Sequence, residues 1–238
     1  NDIMNSKYKV FKFKKNKFEN TEDFISIEEP LEISLKYQDQ NKWLTNSLSI
    51  TMRTPGHDKD LVRGFLFNEQ IIQNINEIEK IESIGKKLGH YNIQNKILIT
   101  LNNSKNINIS KIKRDFLTNS SCGVCGKSSL DALEIIKKEK VSNSSPKLSK
   151  ETVIKSPSIL RDNQSEFSKT GGIHASGLFS SDGKLISLRE DVGRHNALDK
   201  MIGNALNKNQ INPQNQFITC SGRLNFELVQ KVLMTNIG

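Results

Sequence analysis

From Ser156 onward the chain strings helix and strand signals together in the order α-β-β-α-β-α, which narrows its folding options more than any other feature. Ser156-Pro157 is an N-cap followed by a first-turn proline, whose missing N–H costs nothing there. The pair predicts a helix to about Phe167, stopped by Gly171-Gly172. IHASGLF and KLISL read as strands joined by a Ser-Asp-Gly turn, a hairpin signal. A helix is expected near Arg194, a strand over Phe217–Cys220 and a last helix from about Asn225.

The first half has a different texture. Residues 8–13 and 31–37 alternate apolar and polar, as half-buried strands do, and SLSITMR, ending at Arg53, does the same. A Thr-Pro-Gly turn follows. Asp58 or a neighbour then caps a helix carrying Leu61, Val62, Phe65, Leu66 and Ile72. Strand patterns recur near 78–84 and 96–101. The expected class is α/β in the wide sense (α+β). Residues 1–140 form a smaller N-terminal α+β domain, 141–155 a Ser/Asn/Lys/Pro linker and 156–238 a second layered domain.

Composition excludes some functions. Hydrophobic residues are 35% of the 238, and no apolar run approaches the roughly 18 residues of a membrane helix. No apolar segment follows the lysine-studded N-terminus, so neither a secretory signal nor a membrane partner is expected. The formal charge is +9, but the lysines are dispersed and aromatics are only 6%, which argues against nucleic acid. A positive balance suits an acidic protein or a phosphate-bearing ligand. Three cysteines make no disulfide framework, and reactive thiols in a reducing cytoplasm fit them better.

Two of those thiols form Cys122-Gly123-Val124-Cys125. Ser128 and Asp131 have capping-box character, and Leu130, Leu133 and Ile136 repeat at helical spacing. Cys125 therefore stands just before a helix N-terminus, where unpaired N–H groups favour thiolate. Cys122 lies further out on a glycine-flanked loop, as a thiol that must accept and present a sulfur atom requires. Half of a zinc site, a dithiol redox pair and an inert glycine turn are the competing readings. Zinc needs four ligands and only Cys220 and a histidine remain, so no metal site is expected.

Three other segments carry polar groups at helix mouths. In LREDVGRHNALDK, Arg194 and His195 open a helix and can bind an anion or place an acid–base group. In ITCSGRLNFELVQK, Ser221 and Arg223 can bond phosphate while Gly222 lets the backbone approach it. TGGIHASG sets His174 at a strand entrance. Each is also compatible with an ordinary surface cap, β-α turn or packed histidine. His57 and Asp58 in the TPGHD turn are weaker candidates that could serve only to start their helix.

Taken together, EEPLEI, RTPGHDKDLVRGFLFNEQII, SSCGVCGKSSL, TGGIHASGLF with LREDVGRHNALDK, and SGRLNFELVQK resemble, in order, the signature of the FdhD/NarQ formate dehydrogenase accessory proteins. The resemblance spans residues 28–238. It implies a sulfurtransferase in which Cys122 carries a persulfide supplied by a cysteine desulfurase, with Cys125 assisting. The sulfur is destined for the bis-guanine-dinucleotide form of the molybdenum cofactor, bound as substrate, and ultimately for formate dehydrogenase. It further implies a cytoplasmic homodimer, and a cytidine-deaminase-like second domain. In that fold a zinc deaminase opens its helices with H-x-E and P-C-x-x-C. Here His195 is followed two places on by Ala197, and the second slot reads SGRLN. The family resemblance also implies strand and helix segments beyond Gly238, with a glycine- and basic-rich cofactor-binding stretch. Two alternatives stand beside the sulfur carrier: a cofactor-binding chaperone without sulfur chemistry, and a zinc-dependent deaminase-like hydrolase.

Overall fold

The computed structural model describes residues 4–40, 42–88, 90–102 and 146–237. Cys122, Cys125 and the helix expected after them lie outside these residues. The remainder is mixed α+β, as the sequence predicts.

Strands β1 (Asn5–Lys14) and β2 (Lys17–Ser26) form an antiparallel hairpin by themselves. Strands β3 (Glu29–Asp39), β4 (Lys42–Arg53), β5 (Ile78–Leu88) and β6 (Ile93–Leu101) make a sheet in the order β4-β3-β6-β5, parallel only between β3 and β6. Leu31, Ile33, Leu35 and Tyr37 point to one face of β3 at two-residue spacing. They meet Leu61, Val62 and Leu66 of helix α1 (Asp58–Asn68) in one buried cluster.

The second half begins earlier than its sequence suggests. Helix α2 spans Lys150–Asp162, so residues 150–155 of the expected linker are helical and Pro157 sits inside the helix. Ser149 is the cap, its hydroxyl accepting from the Thr152 N–H at 3.1 Å. The helix expected to reach Phe167 breaks at Asn163-Gln164, and α3 (Ser165–Thr170) follows, closed by Gly171 at φ 67°. Strands β7 (His174–Ser180), β8 (Leu185–Asp191) and β9 (Gln216–Cys220) form an antiparallel sheet in the order β8-β7-β9. Helices α4 (Arg194–Asn207) and α5 (Phe226–Leu233) pack with it around Leu178, Leu198, Met201, Ile202 and Leu228. The sequence-predicted order thus holds from β7 to α5, with one helix divided in two ahead of it. Likeness to the cytidine-deaminase fold remains an expectation.

The halves meet where α1 crosses α4. A Cβ on Gly64 would lie 1.9 Å from the Asp199 carbonyl oxygen, and one on Gly203 would lie 1.9 Å from that of Asp60. Only glycine permits backbones so close. Polar groups line the same seam. Arg189 donates to Asp60 Oδ2 at 2.9 and 3.1 Å, and Lys231 Nζ reaches Asp199 at 3.0 Å and Glu69 at 3.2 Å. Burial works against the Lys231 ammonium, but Asp199, Glu69 and Glu227 outweigh it and hold its pKa above the ordinary lysine value.

Candidate functional site

The three helix-mouth segments converge at one end of the second sheet. His174 opens β7 and pairs in register with Asp191 at the end of β8. Beyond β9, the Ser221 N–H donates to the Ala175 carbonyl at 2.9 Å, and the Ser221 hydroxyl accepts from the Ala175 N–H at 2.8 Å. These bonds extend the ladder and bring Gly222 beside His174. A Cβ on Gly222 would lie 3.0 Å from His174 Nδ1 and 3.8 Å from Arg194 Cβ. His174, Arg194, Ser221 and Gly222 are therefore gathered at one corner, where a side chain at Gly222 would press on the His174 ring.

Their chemistry suits an anion. Arg194 supplies a permanent positive charge, and its Nε is buried without a hydrogen-bond partner among the described residues. Burial, then the neighbouring guanidinium of Arg194, hold the His174 pKa below the ordinary histidine value, with Asp191 opposing. His174 is thus a neutral imidazole at neutral pH, able to donate or accept.

His195 turns towards α5. Asn225 caps that helix through Oδ1, which accepts from the Leu228 N–H at 3.0 Å, so its amide nitrogen faces His195 Nε2 at 3.1 Å. Glu227 Oε2 lies 3.1 Å from the same nitrogen. According to the tautomer, Nε2 accepts from the Asn225 amide or donates to the Glu227 carboxylate. Arg223 is exposed on the loop and is not drawn into the cluster.

Sequence reasoning missed the residues that hold this corner. Asp191 Oδ1 accepts from the Gly193 N–H at 2.8 Å, closing a tight turn before α4. Its Oδ2 is 2.6 Å from Lys200 Nζ, and both side chains are fully buried. The TPG turn of the first half completes the arrangement. The Thr54 N–H donates to Asp191 at 3.2 Å, the Thr54 hydroxyl accepts from the Val192 N–H at 3.1 Å, and its carbonyl accepts from Lys200 at 2.7 Å. Asn196 adds a bond to the Met52 carbonyl at 2.8 Å. An Asp two places before a glycine was the available signal for the turn, but nothing local announces its distant partners. Asp58 proves structural: it takes two bonds from buried Arg53, at 2.9 and 3.0 Å, while His57 is the exposed left-handed residue ahead of α1.

Cys220 ends β9 with its sulfur 3.5 Å from the Ser176 hydroxyl, and burial pushes its thiol pKa up. It is a poor nucleophile there. Among the described residues, no group of three His, Cys, Asp or Glu side chains could hold a metal ion.

Fold and site together define an α+β protein whose cationic, histidine-bearing corner is held rigid from both halves. The chain belongs to the FdhD/NarQ family, whose model matches residues 26–238. It is 38% identical over 231 residues to the sulfur carrier protein FdhD of Sulfolobus acidocaldarius, covering 97% of this chain and 81% of that one. The Corynebacterium efficiens sulfur carrier protein FdhD is 38% identical over 226 residues, covering 92% and 78%. A crystal structure assigned to a formate dehydrogenase accessory protein from Desulfotalea psychrophila superposes with a TM-score of 0.62 at 19% identity, over 98% of this chain and 80% of that one. That likeness is one of fold.

Proposed function

We propose that this protein carries sulfur to the molybdenum cofactor required by formate dehydrogenase, working as a cytoplasmic homodimer. The Cys122 thiolate attacks the outer sulfur of a persulfide on a cysteine desulfurase. The donor S–S bond breaks as a new one forms on Cys122, the donor cysteine leaves as thiolate, and no net oxidation occurs. Cys125 assists the second step: its thiolate attacks the Cys122 sulfur, a Cys122–Cys125 disulfide forms, and the outer sulfur leaves at the sulfide level for the bis-guanine-dinucleotide cofactor bound as substrate. Membership of a family whose relatives bear the name sulfur carrier carries this reading. The Arg194–His174–Gly222 corner supports it, offering charge, a neutral imidazole and an open backbone to a phosphate-rich ligand.

The test is intact mass after incubation with a cysteine desulfurase and cysteine, with and without dithiothreitol. The expected result is a reductant-labile gain of about one sulfur atom that disappears in Cys122→Ala. No gain on folded, reduced protein would shift the assignment to a chaperone that binds cofactor without sulfur chemistry.

A further inference from the structure

The β1–β2 hairpin carries a surface that sulfur transfer does not use, and the family match begins only at residue 26, where β2 ends. The strands pair from Asn5↔Ser26 to Lys14↔Lys17, and Lys15-Asn16 turn the corner with φ of 47° and 63°. Side chains alternate along a strand, so Phe11 and Phe13 share a face with Phe18, which lies opposite Phe13. These phenylalanines are 75%, 60% and 74% exposed. Lys12, Lys14 and Lys17 occupy the reverse face, with Lys15 in the turn. Of these, Lys12 pairs with Asp23 at 2.8 Å, and the segment FKFKKNKF contains no acidic residue. The base is anchored: Asn5 bonds Glu166, the Ser26 hydroxyl reaches Thr170 at 2.8 Å, and Tyr8 meets Tyr91 at 2.7 Å.

We propose that this tip docks the protein on an anionic lipid surface. Phe11, Phe13 and Phe18 enter the headgroup layer tip-first, while Lys14, Lys15 and Lys17 reach lipid phosphates along their flexible stems. Charge and shape select this occupant. Lysine is depleted from the cores of protein–protein interfaces, whereas clustered lysines beside apolar side chains are what an anionic leaflet attracts. Bases stack on free ring faces, but Phe13 and Phe18 pack on each other, centroids 5.0 Å apart and tilted 53°. An apolar face backed by cations on the reverse face and in the turn supplies the two signals that reversible anchoring needs. The contact is peripheral: no helix among the described residues is long and apolar enough to cross a membrane.

The test is co-sedimentation of the untagged chain with extruded vesicles, either pure phosphatidylcholine or phosphatidylcholine mixed with phosphatidylglycerol. Binding is expected only to the phosphatidylglycerol vesicles, weakening roughly tenfold between about 50 and 300 mM salt. F11S/F13S/F18S and K14E/K15E/K17E should each abolish it while circular dichroism and persulfide loading of Cys122 stay unchanged, which separates this surface from the sulfur chemistry. Overturning results are failure of the folded wild-type chain to sediment at low salt, or equal binding by the phenylalanine variant. Phenylalanine-dependent binding to a single-stranded oligonucleotide but not to vesicles would also overturn it.

Discussion

At the scale of single residues, the corner is best probed through proton linkage. The folded state holds His174 below the ordinary histidine pKa, first by burial and then by Arg194. Between that depressed value and about 6.5, the unfolded chain binds more protons at this site than the folded one. His174 therefore makes stability fall as pH drops below about 6.5, and has no such effect above it. Replacing His174 with Asn should flatten the loss of the urea midpoint between about pH 7 and 5; an unchanged slope would remove His174 from the account. His174, Arg194 and Gly222 were legible as candidates because their residue types announce anion chemistry wherever they fall. Thr54 and Asp191 were not. Their role is a pairing across 137 residues, and no local pattern encodes it.

Individual elements were read best where periodicity or a cap decides them. β3, β6, α4 and α5 fall close to their expected places, since each buries a face with a clear repeat. β2 escaped notice because KFENTEDFIS has almost no buried face to generate alternation. The start of α2 was misplaced because Ser156-Pro157 imitates a helix opening, and the structure shows how an interior proline is accommodated. Val153 lacks the Pro157 N–H it would otherwise accept. The buried Ser156 hydroxyl substitutes for it at 3.2 Å and in turn accepts from Thr219 at 3.0 Å. Ser156→Ala should cost about 1–2 kcal/mol by chemical denaturation, since the Val153 carbonyl loses its donor and the Thr219 hydroxyl its acceptor. Pro157→Ala should stabilise by about 1–3 kcal/mol, because it restores the N–H and relieves the ring clash. In the Pro157→Ala background Ser156→Ala should cost less, the backbone having replaced the hydroxyl; equal costs in both would refute the compensation.

For the whole molecule, the α1–α4 crossing determines how the halves behave together. The sequence suggests two domains and a linker. What it could not convey is a helix contact with no side chain between the backbones, or a buried polar seam running from Asp60–Arg189 to Asp199–Lys231. The halves are joined by Arg189 on Asp60, Lys231 on Glu69 and the buried bond from the Asn68 amide to Asp199 at 2.6 Å, all of which separation would break. Losing these bonds together with the packed α1–α4 contact couples the unfolding of one half to the other. The chain's one tryptophan, Trp43, lies on β4 of the first half, whereas far-ultraviolet circular dichroism reports the helices and strands of both. The two signals should give the same urea midpoint and a single transition. Gly203→Ala forces a methyl into the Asp60 carbonyl and should destabilise the fold by about 3 kcal/mol, lowering both midpoints together. If tryptophan emission kept its midpoint while a second dichroism transition split away, the halves would be independent, and the corner built from Thr54 and Asp191 could not be held rigid by their union.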